Sequence, residues 1–217
     1  MFEHEPVRSL VSAVHSRNMQ LMFLTFMCVS LTRIVDSLKT NNTFFYFAYG
    51  SNLLAKRIHI NNPSAVFYSV ARLSRYRLDF NMISDTWNGA VATIVEDDDD
   101  EVLGIVWALN KADQHLLDEQ EGLSLDWYFA KNVTVTTPTG RKIVARTYEE
   151  IEDTPKLEKG AIRPLDRTPS STYLEVIFLG AIEAGLPAAY VAHLISFPTN
   201  GKLASLEIRD QLGYPFN

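Results

Sequence analysis

From Phe44 to Tyr148 the chain runs through short stretches rich in β-branched and aromatic residues, at 44–49, 64–73, 76–80, 90–95, 102–109, 127–136 and 143–148. About seven short strands exceed the usual sheet and suffice to close, or nearly close, a barrel. Several connections are short. Thr137-Pro138-Thr139-Gly140 reads as a hairpin turn, and the acidic run 96–101 reads as a solvated connection between two further strands. That run lacks the glycine and distal glutamate of an EF-hand calcium loop.

Helical periodicity appears at 53–59, 110–121, 172–184 and 188–197. Asn110 is placed to cap the second of these, with Asp113 in its first turn, and Gly122 stands where a helix end favours a residue free of Cβ strain. Gly185-Leu186-Pro187 separates the last two helices, glycine ending one and proline starting the next. The polar segment 149–171, with Pro155, Pro164 and Pro169, reads as a long surface loop of the kind that serves as a lid or binding loop.

Hydrophobic residues make up 47% of the 217, enough for a sizeable core. A net charge of −6 and the lack of a Lys/Arg cluster exclude the electrostatic footprint of a nucleic-acid binder and point to a small molecule or a protein as partner. Cys28 is the only cysteine, and His4, His15, His59, His115 and His193 are scattered, so neither a disulfide nor a metal site is expected. The organisation expected is an N-terminal extension over 1–43, a catalytic domain over 44–200 and a C-terminal tail over 201–217. Within the extension, the apolar stretch 19–31 is shorter than the roughly 20 residues that span a bilayer. Its length suits a secretory signal, an organelle presequence or a plain extension, and the lack of a small-x-small cleavage site favours the last.

Two local patterns can carry chemistry. In Phe44-Phe45-Tyr46-Phe47-Ala48-Tyr49-Gly50-Ser51-Asn52, an aromatic strand runs into a small-residue turn. Gly50 there allows a conformation closed to other residues, and Ser51 or Asn52 can cap a helix starting at Leu53. Taken alone this is punctuation; it can also offer backbone N–H groups to a carboxylate or an oxyanion. The second pattern is Asp118, Glu119 and Glu121 ahead of Gly122. A helix C-terminus and neighbouring carboxylates both raise an acid's pKa toward that of a general base. Periodicity does not choose among the three: with Leu116 and Leu117 inward, Glu119 and Glu121 flank the apolar face and Asp118 points away.

Both patterns belong to a longer collinear series: Tyr46-Phe47-Ala48-Tyr49-Gly50-Ser51-Asn52-Leu53-Leu54, Arg57-Ile58-His59, Asn62-Pro63-Ser64-Ala65, Ala71-Arg72-Leu73, Leu78-Asp79-Phe80, Leu117-Asp118-Glu119-Gln120-Glu121-Gly122 and Gly185-Leu186-Pro187. In this series the chain resembles the γ-glutamylcyclotransferases, and the type acting on γ-glutamyl-amino acids more than the γ-glutamylamine or glutathione-specific types. The resemblance implies an α+β fold, with a mixed, barrel-like sheet of about six to seven strands flanked by helices. It implies a cofactor-free cleavage of γ-glutamyl-amino acids to 5-oxoproline and a free amino acid, by attack of the substrate's α-amine on its own γ-carbonyl. Glu121 matches the family's catalytic acid/base; Tyr46, Phe47, Ala48, Tyr49, Gly50 and Ser51 match its glutamyl-binding turn, and Tyr173 a further substrate contact. A homodimer and a cytosolic setting follow from the same resemblance, and a membrane association does not. The competing readings are a cyclotransferase for glutathione or γ-glutamylamines, and a catalytically idle binding protein of the same fold. Trp87-Asn88-Gly89-Ala90 departs from the family, which carries a glycine pair after the tryptophan, and the N-terminal extension is no family feature.

Overall fold

A computed structural model describes residues 42–152, 154–158 and 161–217. The extension lies outside the described residues apart from its last two, and its apolar stretch lies wholly outside them. From Phe44 the chain is one compact unit. Its sheet is a closed barrel of five strands: β1 (Thr43–Ala48), β2 (Val66–Ser84), β3 (Gly89–Asn110), β4 (Tyr128–Thr136) and β5 (Lys142–Glu150), in the order β1-β3-β2-β4-β5. The β2–β3, β2–β4 and β4–β5 pairings are antiparallel, and at the closing seam β1 runs parallel to β5 with Tyr46 opposite Arg146. Side chains cement that seam: Tyr49 OH donates to the Tyr148 carbonyl at 2.5 Å, and Thr147 Oγ1 to the Phe47 carbonyl at 2.9 Å.

The sheet has fewer and longer strands than the segments read from sequence. Stretches 64–73 and 76–80 join in β2, and 90–95 and 102–109 join in β3, so the acidic run is no connection. It is a bulge within β3: the register jumps from Ser74 opposite Glu101 to Tyr76 opposite Glu96, with Arg75 at φ 67°. The charges that suggested a loop are taken up laterally, by Arg75 on Asp98 at 2.6 Å and Lys156 on Asp97 at 2.5 Å. The expected hairpin at 137–140 is present, closed by Thr137 N–H to the Arg141 carbonyl at 2.9 Å, with Gly140 at φ 81°.

Alternating inward residues fill the barrel. Phe47, Phe80, Ile94, Ile105 and Val135 are fully buried, each large apolar side chain stabilising the fold by roughly 1.5–3 kcal/mol. Among the described residues five helices cover it: α1 (Ala55–Asn61), α2 (Gln114–Gln120), α3 (Ser171–Glu183), α4 (Ala188–Ile195) and α5 (Leu206–Leu212). Ser170 Oγ caps α3 by accepting from Tyr173 N–H at 3.2 Å. Helix α3 presses on the chain after β1 so closely that a Cβ at Gly180 would collide with Leu53 and Leu54. The stretch 201–217, set apart in sequence as a tail, carries α5 and buries Ile208, Leu212 and Phe216.

The segment after β5 is held to the sheet by charge. Buried Asp79 on β2 accepts from Arg163 Nη1 at 2.6 Å, Arg167 Nη2 at 2.8 Å and Phe80 N–H at 2.8 Å, and Arg77 adds a bond to the Thr154 carbonyl.

Candidate active site

Strand β1 ends at Ala48, and Gly50–Leu54 forms a 3-10 turn in which Leu53 N–H bonds the Gly50 carbonyl and Leu54 N–H the Ser51 carbonyl. The first N–H groups of such a turn have no partner within it, which leaves those of Ser51 and Asn52 to face outward from the helix start. Gly50 has φ −104°, so its need for glycine is spatial: a Cβ there would lie 3.3 Å from both Ala92 Cβ and Tyr173 Oη. Neither Ser51 nor Asn52 caps a helix, and α1 begins only at Ala55.

Asn52 is buried instead, and it is the centre of the site. Its Nδ2 donates to Glu121 Oε1 at 3.0 Å and lies 3.1 Å from Tyr46 Oη, which itself donates to Glu121 Oε1 at 3.3 Å. The orientation of the Asn52 amide is relayed from the next helix: Asn62 Nδ2 donates to Gln120 Oε1 at 2.8 Å, and Gln120 Nε2 to Asn52 Oδ1 at 3.1 Å. Trp107 Nε1 holds the Asn52 carbonyl at 3.0 Å.

Glu121 is the residue after α2, which is anchored by buried Leu117 and ended by Gly122 at φ 67°. A Cβ at Gly122 would meet Trp127 at 2.7 Å, so this turn requires glycine for both backbone and space. The Glu121 carboxyl is raised to about 7, first by withdrawal from water; the Arg57 charge and the Tyr46 hydroxyl oppose this, and Asp118 adds to it. The direction is the one expected from the helix end and its acids, but burial is the main cause. Glu119 is exposed, and Asp118 does not point away: its Oδ1 accepts from Arg146 Nη2 at 2.8 Å and Tyr148 OH at 2.5 Å, because β5 packs alongside that face.

Ala92 on β3 forms the back wall. It stands opposite Phe80 of β2, but Phe80 N–H is given to Asp79 Oδ1. Two tyrosines serve Ala92 beyond the end of β1: its N–H donates to Tyr173 Oη at 3.1 Å, and its carbonyl accepts from Tyr128 OH at 3.0 Å. The Tyr173 proton is therefore free to be offered elsewhere.

These groups enclose an inner cavity of about 40 Å³, lined by Tyr46, Tyr49, Gly50, Ser51, Glu121 and Tyr173 together with Asn52, Ala92, Tyr128 and Tyr148. It adjoins an outer cleft of about 310 Å³, which shares Ser51, Glu121, Tyr128 and Tyr173 and adds Arg57, Trp87 and Trp127. Of the residues expected from sequence, Phe47 and Ala48 do not reach it. Both are fully buried on the barrel side, where a Cβ at Gly104 would collide with the Phe47 ring and the Ala48 carbonyl. Asn52, Tyr128, Tyr148 and Arg57 were not singled out, although Asn52 stood within the turn motif.

Known proteins bear on this arrangement. Residues 101–194 match the AIG2-like family. A bovine γ-glutamylcyclotransferase is 45% identical over 177 residues, covering 77% of this chain and 87% of the relative. The chain belongs to the γ-glutamylcyclotransferase family. The human γ-glutamylcyclotransferase is 42% identical over the same shares, and a solved γ-glutamyl cyclotransferase structure superposes with a TM-score of 0.70 at 40% identity, covering 78% of this chain and 98% of that one. The barrel flanked by helices is thus the γ-glutamylcyclotransferase fold, and the family read from the motifs is the one the comparisons show. The departure at Trp87-Asn88-Gly89 lies at the outer cleft, where Trp87 forms a wall and Gly89 backs onto Ser170.

Proposed function

We propose that this chain converts γ-glutamyl-amino acids to 5-oxoproline and the free amino acid, with Glu121 as acid and base. The observation that carries the reading is a carboxyl raised to about 7, oriented by Asn52 and Tyr46 and facing a cavity walled by the Gly50–Ser51 turn. The substrate α-amine arrives protonated; ionised Glu121 removes one proton, and the freed nitrogen attacks the γ-carbonyl to close the five-membered ring. The oxyanion that forms is within the reach of a turn whose first N–H groups have no internal partner. When the intermediate collapses, the original amide C–N bond breaks and protonated Glu121 gives its proton to the departing amine; the ring nitrogen then passes its surplus proton by way of the regenerated carboxylate to the freed amine, leaving the lactam N–H. Holding the glutamyl chain folded supplies proximity that open solution lacks. Tyr173, whose hydroxyl accepts from Ala92, donates its proton to the substrate.

The cytosol is the setting this substrate class supports, and no helix among the described residues is long and apolar enough to cross a membrane. A homodimer belongs to the same reading. The test follows 5-oxoproline release from γ-glutamyl-alanine, glutathione and γ-glutamyl-lysine. Glu121→Gln is expected to bind substrate, keep its fold and release no product, while exposed Glu119→Gln stays close to wild type. Near-normal turnover by Glu121→Gln removes the assigned role.

A further inference from the structure

Arginine 57 stands out among the buried cations. Arg77 and Arg167, equally buried, both reach Asp79. Arg57 is 8% exposed, yet its Nε and Nη1 have no hydrogen-bond partner among the described residues. Its guanidinium lies 5.9 Å from the centre of the Trp87 ring and lines the outer cleft. The Glu121 charge acts on it from the inner side, but no carboxylate is hydrogen-bonded to it; a guanidinium withdrawn from water in this way is a costly arrangement, and its planar fork matches a carboxylate in shape and charge.

Position decides which carboxylate this is. The junction of the two spaces, at Ser51, Glu121, Tyr128 and Tyr173, is where the scissile amide must lie if Glu121 is to serve both its nitrogen and the attacking amine. The glutamyl group is then directed toward the inner cavity, which Arg57 does not line, and the leaving residue toward the outer cleft, which it does. We propose that Arg57 receives the α-carboxylate of the departing amino acid. The site thereby selects γ-glutamyl-amino acids against γ-glutamyl compounds whose leaving nitrogen has no carboxylate on the adjacent carbon. Glutathione is of the second kind, because the cysteine carboxyl next to its scissile amide is itself an amide. This assignment rests on the cyclotransferase reading above.

The experiment compares kcat/KM for γ-glutamyl-alanine and γ-glutamyl-alaninamide, which differ only in that carboxylate, for the wild type, Arg57→Gln and Arg57→Lys. A hydrogen-bonded charge pair predicts that the wild type prefers the acid by about 10- to 100-fold. Arg57→Gln is expected to lose this preference by slowing more on the acid than on the amide, and Arg57→Lys to restore part of it. Loss of the Arg57 charge also acts on Glu121, but equally for both substrates, so their ratio isolates the carboxylate contact. A wild type that does not distinguish the two substrates overturns the assignment, even if Arg57→Gln fails to fold. So does an Arg57→Gln that slows equally on both. Absence of 5-oxoproline from both substrates with the wild type is a different failure, that of the cyclotransferase reading itself.

Discussion

Replacing Glu150 by glutamine should stabilise the protein in alkaline solution and leave it unchanged in acid. Glu150 is 4% exposed at the end of β5, and its Oε2 has no partner among the described residues. Tyr128 Oη lies 3.3 Å from Glu150 Oε1 and 3.0 Å from the Ala92 carbonyl, but a hydroxyl has a single proton. The carbonyl can only accept, so when Tyr128 donates to it, the contact to Glu150 is satisfied only by a protonated carboxyl. Burial accordingly raises the group from 4.5 to about 8. A folded-state pKa above the unfolded one stabilises fully below about 4.5, and the contribution is lost as pH rises through 8. The interval is worth about 5 kcal/mol at most, at ~1.4 kcal/mol per pH unit. Glutamine has the same shape, keeps a donor for Tyr128 and does not ionise. For a domain of this size ~1 kcal/mol moves the melting midpoint by about 2–4 °C, so Glu150→Gln should melt some 10 °C or more above the wild type at pH 9 and within a few degrees of it at pH 5. Thermal unfolding by circular dichroism across that range decides the matter. Melting curves for the two proteins that stay parallel from pH 5 to 9 would refute the reasoning.

Two further outcomes concern the reacting groups. Asn52→Ala removes an amide donor from the Glu121 carboxylate and should lower kcat by about 10- to 100-fold, in proportion to a lost hydrogen bond to a charged group, with 5-oxoproline release as the measurement. Because the first step needs ionised Glu121, kcat/KM should fall as pH drops through about 7, and Arg57→Gln, which removes the charge holding that carboxyl down, should move this limb to higher pH in a pH–rate profile.

Much of this architecture was legible as text because it depends on local chemistry. Gly122, Gly185 and Gly140 all have positive φ, and each stood at a boundary of periodicity. The long strands were not legible, because Arg75 and the acidic run interrupt alternation and only the facing strand shows that the interruption is a bulge. Contiguity misled within the turn motif: Phe47 and Ala48 adjoin site residues in sequence, but they pack against Gly104 on β3. Asn52 shows the opposite limit. The same letter suits a helix cap and a buried amide, and Tyr46 and Gln120, brought to it by the fold, decide between them. Arg57 stood in the motif series without a sign of its role, since burial without a hydrogen-bond partner is a property of three dimensions, and Tyr128 meets Ala92 only through the fold.

The parallel seam between β1 and β5 bears on how the chain reaches this state. The β2–β3 and β4–β5 pairs join neighbours in sequence, whereas Phe47 meets Thr147 across 100 residues. Closing so long a loop carries a large entropic barrier that the hairpins do not face. Tyr46 and Tyr49 stand on one side of that seam, Tyr148 on the other, and Glu121 is fastened to Tyr46 and Asn52. A chain with only its hairpins formed lacks the pocket, so catalytic competence requires barrel closure.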